Sequence, residues 1–234
     1  MSAEKLKEEL IATGNERKAQ ELMRFFKTSK GSYGEGDIFI GVTVPVNRAI
    51  TKKFLHLSPT ELVELLHCEI HEVRLSALIC MVEQYKSKKT TDSRRQEIVD
   101  IYIKNTRYIN NWDLVDLSVY NIIGEHLLHR DRELLYHWAE STLLWEQRMA
   151  IVATMCFVRH GEYDDTIAIA RKLCYHPHDL IQKAVGWLLR EVGKRDEKRL
   201  TDFLDTHHTT LPRTLLRYAI ERLSPMQRKH YMGR

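Results

Sequence analysis

The sequence predicts an all-α protein built of repeated helix pairs, and three observations lead there. Apolar residues recur at helical spacing along nearly all of the 234 residues. Only 10 Gly and 5 Pro occur, few for a chain that needs hairpins and tight turns. The third observation is a repeat: Arg74-Leu-Ser-Ala77, Arg148-Met-Ala-Ile151, Lys183-Ala-Val-Gly186 and Arg217-Tyr-Ala-Ile220 each set a cation before small or apolar residues of an apolar helix. Their spacings are 74, 35 and 34 residues, and 74 is twice 37, so the missing member falls near residue 111. Helix pairs at that period stack into an α-solenoid of the HEAT or armadillo kind. We therefore expect a single repeat domain over residues 1–234 with a concave basic groove.

In chain order, the expected helices begin with amphipathic spans at 3–13 and 15–29. A β-prone run, Asp37-Ile-Phe-Ile-Gly-Val-Thr-Val44, follows, and a strand or a two-turn loop fits it equally well. Helices are then expected at 45–55 and at 59–67, where Ser58-Pro59-Thr60 supplies a cap and a proline at the first helical position. Apolar periodicity places the next at 70–86, 92–106, 111–127, 131–140, 143–160, 163–175, 179–193, 196–205 and 211–222. Ser224-Pro225 opens a last one at 225–231.

Composition narrows the function classes. The longest mostly apolar run, Met149 to Val158 with Thr154 as its one polar residue, is ten residues, half a membrane span. The N-terminal MSAEKLKEELIATGNERK is charged and amphipathic, unlike a signal sequence. Cys68, Cys80, Cys156 and Cys174 form no C-x-x-C pair and sit in apolar helical patterns, which suits a reducing, cytoplasmic setting. Net charge is only +4, but residues 181–234 carry 12 Lys and Arg against 6 Asp and Glu. The remainder is then 24 against 26, so the positive field that an anionic partner such as nucleic acid requires lies at the C-terminal end.

The chemistry concentrates in three helices. In Asn-Asn-Trp-Asp-Leu-Val-Asp, residues 110–116, Trp112 and Asp116 lie one turn apart on one face, which Val119 and Ile123 extend. A carboxylate on such a stripe loses hydration unless a partner compensates it. Arg148 is the complementary case, a guanidinium crowded by Leu144, Ile151, Val152 and Met155 that needs a carboxylate or a phosphate. A structural ion pair with Asp116 would satisfy both. In the 179–194 helix, Lys183, Trp187, Arg190 and Lys194 share one side while Ile181, Val185, Leu188 and Val192 share the other. The indole is either a platform for a nucleotide beside a phosphate track or a ring packed under Arg190. Trp112, Asp116, Arg148 and Trp187 hold matching places in three successive repeats, so they could converge in one cleft.

Other groupings are weaker. His67, Cys68 and His71, and separately Cys174, His176 and His178, have metal-ligating atoms but not the paired spacing of a zinc site, and no metal is expected. Gly34, Gly36 and Gly41 match no phosphate-binding fingerprint and read as a flexible loop. His207-His208 and Lys86-Ser-Lys-Lys89 read as solvated polar segments.

Five segments taken together resemble the AlkD family of DNA alkylation repair glycosylases, which are built of HEAT-like repeats. They are Phe39-Ile-Gly-Val-Thr-Val-Pro45 with Arg48, Asn111-Trp-Asp-Leu-Val-Asp116, Trp145-Glu-Gln-Arg148, Gln182-Lys-Ala-Val-Gly-Trp-Leu-Leu-Arg190 and Pro212-Arg-Thr-Leu-Leu-Arg-Tyr-Ala-Ile-Glu-Arg222. The likeness runs from about residue 20 to 223. It implies a monofunctional enzyme of base excision repair that hydrolyses the N-glycosidic bond of cationic alkylated purines, of the 3-methyladenine and 7-methylguanine type, in double-stranded DNA. The cleft residues it implies are Trp112, Asp116, Arg148 and Trp187, all retained here. Arg190 and Arg213 fall in matching segments, and Lys183, Lys194 and Arg217 join them as candidate phosphate contacts. No cofactor, no membrane and no obligate protein partner are implied, and a monomer is expected. The alternative is a non-catalytic HEAT-repeat protein that binds distorted or branched DNA by shape, as in family members that have lost the cleft residues.

Overall fold

The computed structural model describes residues 2–233. Every regular element among them is helical, in an all-α helical-repeat fold with no strand. The β-prone run at 37–44 is a loop whose only sheet-like contact is a single parallel bridge between Ile38 and Ile70. The chain divides into two compact units, Met1–Ser118 and Val119–Arg234.

In the first unit, α1 (Ala3–Ala12) starts at the Ser2 cap and buries Ala3, Leu6 and Leu10. Helix α2 (Glu16–Phe25) is capped by Asn15, and α3 (Val44–Thr51) runs on into a 3₁₀ turn, Lys52–Phe54. Helix α4 (Pro59–Leu66) has a capping box, with Ser58 and Glu61 satisfying each other's backbone amides and Pro59 at the first helical position. Helix α5 (His71–Lys86) is buried along most of its length. It packs against α3, α4 and α6 (Asp92–Lys104), so it is the axis of this unit. A 3₁₀ turn, Thr106–Tyr108, leads to α7 (Trp112–Val119).

The loop between α2 and α3 is held from within. Glu72 on α5 is buried and its carboxylate accepts the amides of Ile40, Gly41 and Val42 at 3.2, 2.9 and 3.2 Å. Three donors on one acidic group offset its desolvation and fix the loop's path. Gly41 has φ +84, and a Cβ there would lie 2.1 Å from the Asn15 carbonyl oxygen. Gly41→Ala therefore combines backbone strain with a backbone clash and is expected to cost about 2–4 kcal/mol. The measurement is the urea midpoint, and an unchanged midpoint would contradict it. The loop is thus ordered by α5 rather than a flexible segment.

The second unit begins with a π turn, Tyr120–Gly124, then α8 (Glu125–Leu127) and α9 (Glu133–Ala139). Helices α10 (Leu144–Ala153), α11 (Met155–Arg159), α12 (Asp164–Leu173) and α13 (Asp179–Gly193) follow, then α14 (Glu197–His207), α15 (Arg213–Ala219) and α16 (Pro225–Met232). The 34–35-residue period is realised in space: α10, α13 and α15, which carry Arg148, Lys183 and Arg217, pack one on the next. Gly186 lets α13 and α15 approach closely, since a Cβ there would sit 2.5 Å from the Leu215 carbonyl oxygen.

Two expected long helices are interrupted. The 143–160 span breaks at Thr154, whose hydroxyl donates to the Ile151 carbonyl at 2.7 Å and competes with the helical ladder. The 111–127 span passes through the π turn, which shifts the register after Tyr120. Val119 and Ile123, expected to extend the face of Trp112 and Asp116, are fully buried, whereas those two remain partly exposed.

Candidate active site

Trp112 and Asp116 sit on α7, one turn apart and both partly exposed, as their spacing requires. Beneath them, buried Tyr102 meets Ser118 at 2.9 Å, oxygen to oxygen, and Ser118 donates to the Leu114 carbonyl. Burial raises the Tyr102 phenol's pKa, the Ser118 hydrogen bond opposes it, and the nearby Asp116 charge adds to the rise, so the acid lies electrostatically close to this pair.

The start of α7 is held by a cluster that spacing along the chain did not reveal. Asn111 is buried and its side-chain oxygen accepts the Trp112 amide at 2.9 Å, while its amide group donates to Asp37 at 3.0 Å. Asp37, also buried, accepts Arg74 at 2.6 Å on its other oxygen, with Asn110 at 3.3 Å. His71 lies between two carboxylates, Nδ1 at 3.2 Å from Asp37 and Nε2 at 2.9 Å from Asp113. Burial alone would depress its pKa, but Asp113 and Asp37 outweigh that and push it up to about 9. Burial pulls Asp37 the other way too, yet His71, Arg74 and Asn111 hold its carboxyl below the usual range. Five rings run through the site. His71 stacks on Phe39 at 4.4 Å, Phe39 on Phe26 at 4.9 Å, and Phe26 on Trp112 at 5.2 Å, with exposed Phe25 edge-on to the indole at 5.9 Å.

These contacts replace the zinc grouping considered for His67, Cys68 and His71. His67 turns to Asn105 at 2.7 Å and stacks on Tyr108, away from the His71 carboxylates. His178 caps α13 through the Leu180 amide, and His176 accepts the His178 amide. Among the described residues no three His, Cys, Asp or Glu side chains are arranged around a metal. One signal for the true cluster was available: His71, Glu72 and Arg74 are three ionisable residues at the start of a helix that, Ser76 apart, is otherwise apolar through Val82.

In the second unit Arg148, on α10, is 5% exposed and donates to the Leu180 carbonyl at 2.5 Å. Its guanidinium is therefore more buried than its semi-buried sequence setting suggested. On α13 the helical wheel holds: Ile181, Val185, Leu188 and Val192 are fully buried, while Lys183, Trp187 and Arg190 are partly exposed and Lys194 is exposed. The cations are not bare. Lys183 pairs with Asp179 at 2.8 Å, Arg190 with Glu221, and Lys194 with Glu191 at 3.0 Å. Arg213 donates to the Met232 carbonyl at 3.0 Å, and Arg217 is exposed. Exposed pairs of this kind contribute about 0–1 kcal/mol.

No helix among the described residues is long and apolar enough to cross a membrane. A family model described as DNA alkylation repair enzyme matches residues 6–223. Among curated proteins no significant match is found. A solved structure described as a predicted DNA alkylation repair enzyme from Enterococcus faecalis is similar, with a TM-score of 0.71 and 15% identity. The likeness covers 91% of this chain and 97% of that one, and at such identity it bears on the fold alone. The family match spans nearly the whole sequence and includes every residue of the α7, α10 and α13 sites, so this chain belongs to the DNA alkylation repair enzyme family.

Proposed function

We propose that the protein is a monofunctional DNA glycosylase that hydrolyses the N-glycosidic bond of cationic alkylated purines, 3-methyladenine and 7-methylguanine among them, in double-stranded DNA. The observation that carries this reading is the shared, partly exposed face of Trp112 and Asp116 on a helix whose first turn is clamped by buried charge. In this reading the whole of residues 1–234 works as one repeat domain and a monomer, with Arg148 and Trp187 completing the set.

A cationic alkylated purine is already a good leaving group, so no strong acid is needed to protonate it. Positive charge develops on the deoxyribose as the bond breaks. An ionised Asp116 stabilises that oxocarbenium-like state and orients the attacking water. Indole faces from Trp112 and Trp187 favour the cation by roughly 0.5–2 kcal/mol each. Arg148 anchors a backbone phosphate, and Arg190, Arg213, Lys183, Lys194 and Arg217 extend that contact along the duplex. Neutral lesions leave too slowly to be substrates.

The test is base release from methylated duplex DNA. Purified protein is expected to liberate 7-methylguanine or 3-methyladenine, to leave abasic sites, and to do so with a chelator present. DNA affinity should fall steeply with salt as phosphate contacts displace counterions. Absence of release across pH and salt would reject the enzyme. Strong, salt-dependent binding without release would favour the non-catalytic binder of distorted DNA, and no binding at all a protein scaffold.

A further inference from the structure

His71 joins both means by which Trp112 is held. Its Nε2 faces Asp113, the residue after Trp112, and its ring is the far end of the stack that runs through Phe39 and Phe26 to the indole. A neutral imidazole has one N–H, yet both ring nitrogens here face carboxylate oxygens, which only accept. Of the two states of the ring, only the imidazolium donates to both. Asp113 depends on it, because its second oxygen, Oδ1, is buried with no hydrogen-bond partner. With Arg74, the four charges of His71, Arg74, Asp37 and Asp113 sum to zero inside the unit.

We propose that His71, as a buried imidazolium bridging Asp37 and Asp113, is a positioning residue that sets the Trp112 indole and the Asp116 face of α7 for the damaged nucleotide. The proposal rests on the glycosylase reading for its consequence in catalysis, though not for its structural core. Losing the proton leaves a lone pair against one of the two carboxylates and takes the counter-charge from Asp113, whose Oδ1 is already buried without a partner, so the first turn of α7 loosens and the indole loses its fixed plane. The charged groups facing the ring are Asp37 from the α2–α3 loop, Asp113 from α7 and Arg74 from α5 itself; Phe26, the residue after α2, adds its ring, and Glu72 is engaged with the loop amides.

The sign follows from the direction of the shift. His71 is raised from 6.5 to about 9, so the constraint is complete below pH 6.5 and lost as pH rises through about 9. The experiment is a fluorescence titration of the free protein from pH 6 to 10, beside single-turnover release of 7-methylguanine. Wild type should show an indole transition centred near pH 9, absent from both His71→Gln and Trp112→Phe. Asp113→Asn should move that transition down by about one pH unit. At pH 7, His71→Gln should slow single-turnover release about tenfold while DNA affinity stays within twofold, a split that general destabilisation does not produce.

A wild-type titration that is flat between pH 8 and 10, or one unchanged in Trp112→Phe, would overturn the proposal. If His71→Gln does not fold, the wild-type and Asp113→Asn titrations still decide it. If no variant, wild type included, releases base, the glycosylase reading fails while the titration still reports on His71.

Discussion

Replacing Asp116 by Asn is expected to slow release of cationic purines by about 10²–10³-fold while leaving DNA affinity and melting temperature nearly unchanged. The size corresponds to the 3–4 kcal/mol commonly lost with one preorganised electrostatic group at a transition state. The substitution keeps the side chain's shape and removes only its charge, and that charge is the feature matched to a developing oxocarbenium. Asp116 is partly exposed on α7, so the fold does not depend on its ionisation as it does on that of Asp37. Single-turnover release from methylated DNA measures the effect. Rates within a few-fold of wild type would remove Asp116 from the chemistry. Unchanged binding together with a large loss in Arg190→Ala would point to the shape-recognising binder.

The largest effect on stability is expected at Asp37, where Ala should destabilise the protein by about 3–5 kcal/mol. Removing one partner of a buried ion pair leaves an uncompensated charge, which costs far more than the intact pair contributes. Here one carboxylate serves two cations, Arg74 at 2.6 Å and His71 at 3.2 Å, and it also accepts Asn110 and Asn111. His71 can discharge by giving up a proton. Arg74 cannot, and with 4% exposure it has little access to water. For a chain of this length the loss corresponds to a melting shift on the order of 10 °C. Urea denaturation or calorimetry reads it directly, and a shift of under about 2 °C would show that the cluster adds little. Asp37→Ala should also reduce base release at temperatures where the protein remains folded, because Asn111 then loses its hold on the α7 cap.

The sequence by itself determined most of the helices, the helical repeat, the shared side of Trp112 and Asp116 and the two sides of α13. Those features are set by residues three to four positions apart, so the pattern of apolar and polar side chains states them directly. Ile181, Val185, Leu188 and Val192 had to point one way for Trp187 and Arg190 to point the other, and they do. Only the tertiary structure decided which groups compensate the buried charges. Asp37 finds His71, Arg74 and Asn111 across 34, 37 and 74 residues, and His71 finds Asp113 across 42. Separations of that length leave no periodic trace, so the spacing around His71 named neither of the carboxylates that hold it. The breaks at Thr154 and at Tyr120–Gly124 were hidden for a related reason: apolar periodicity continues through them, while the backbone hydrogen bonds that interrupt it depend on local geometry no pattern records. Helical surfaces are a property of neighbours in sequence, but the partner of a buried ion is chosen by whichever distant segment the fold brings against it.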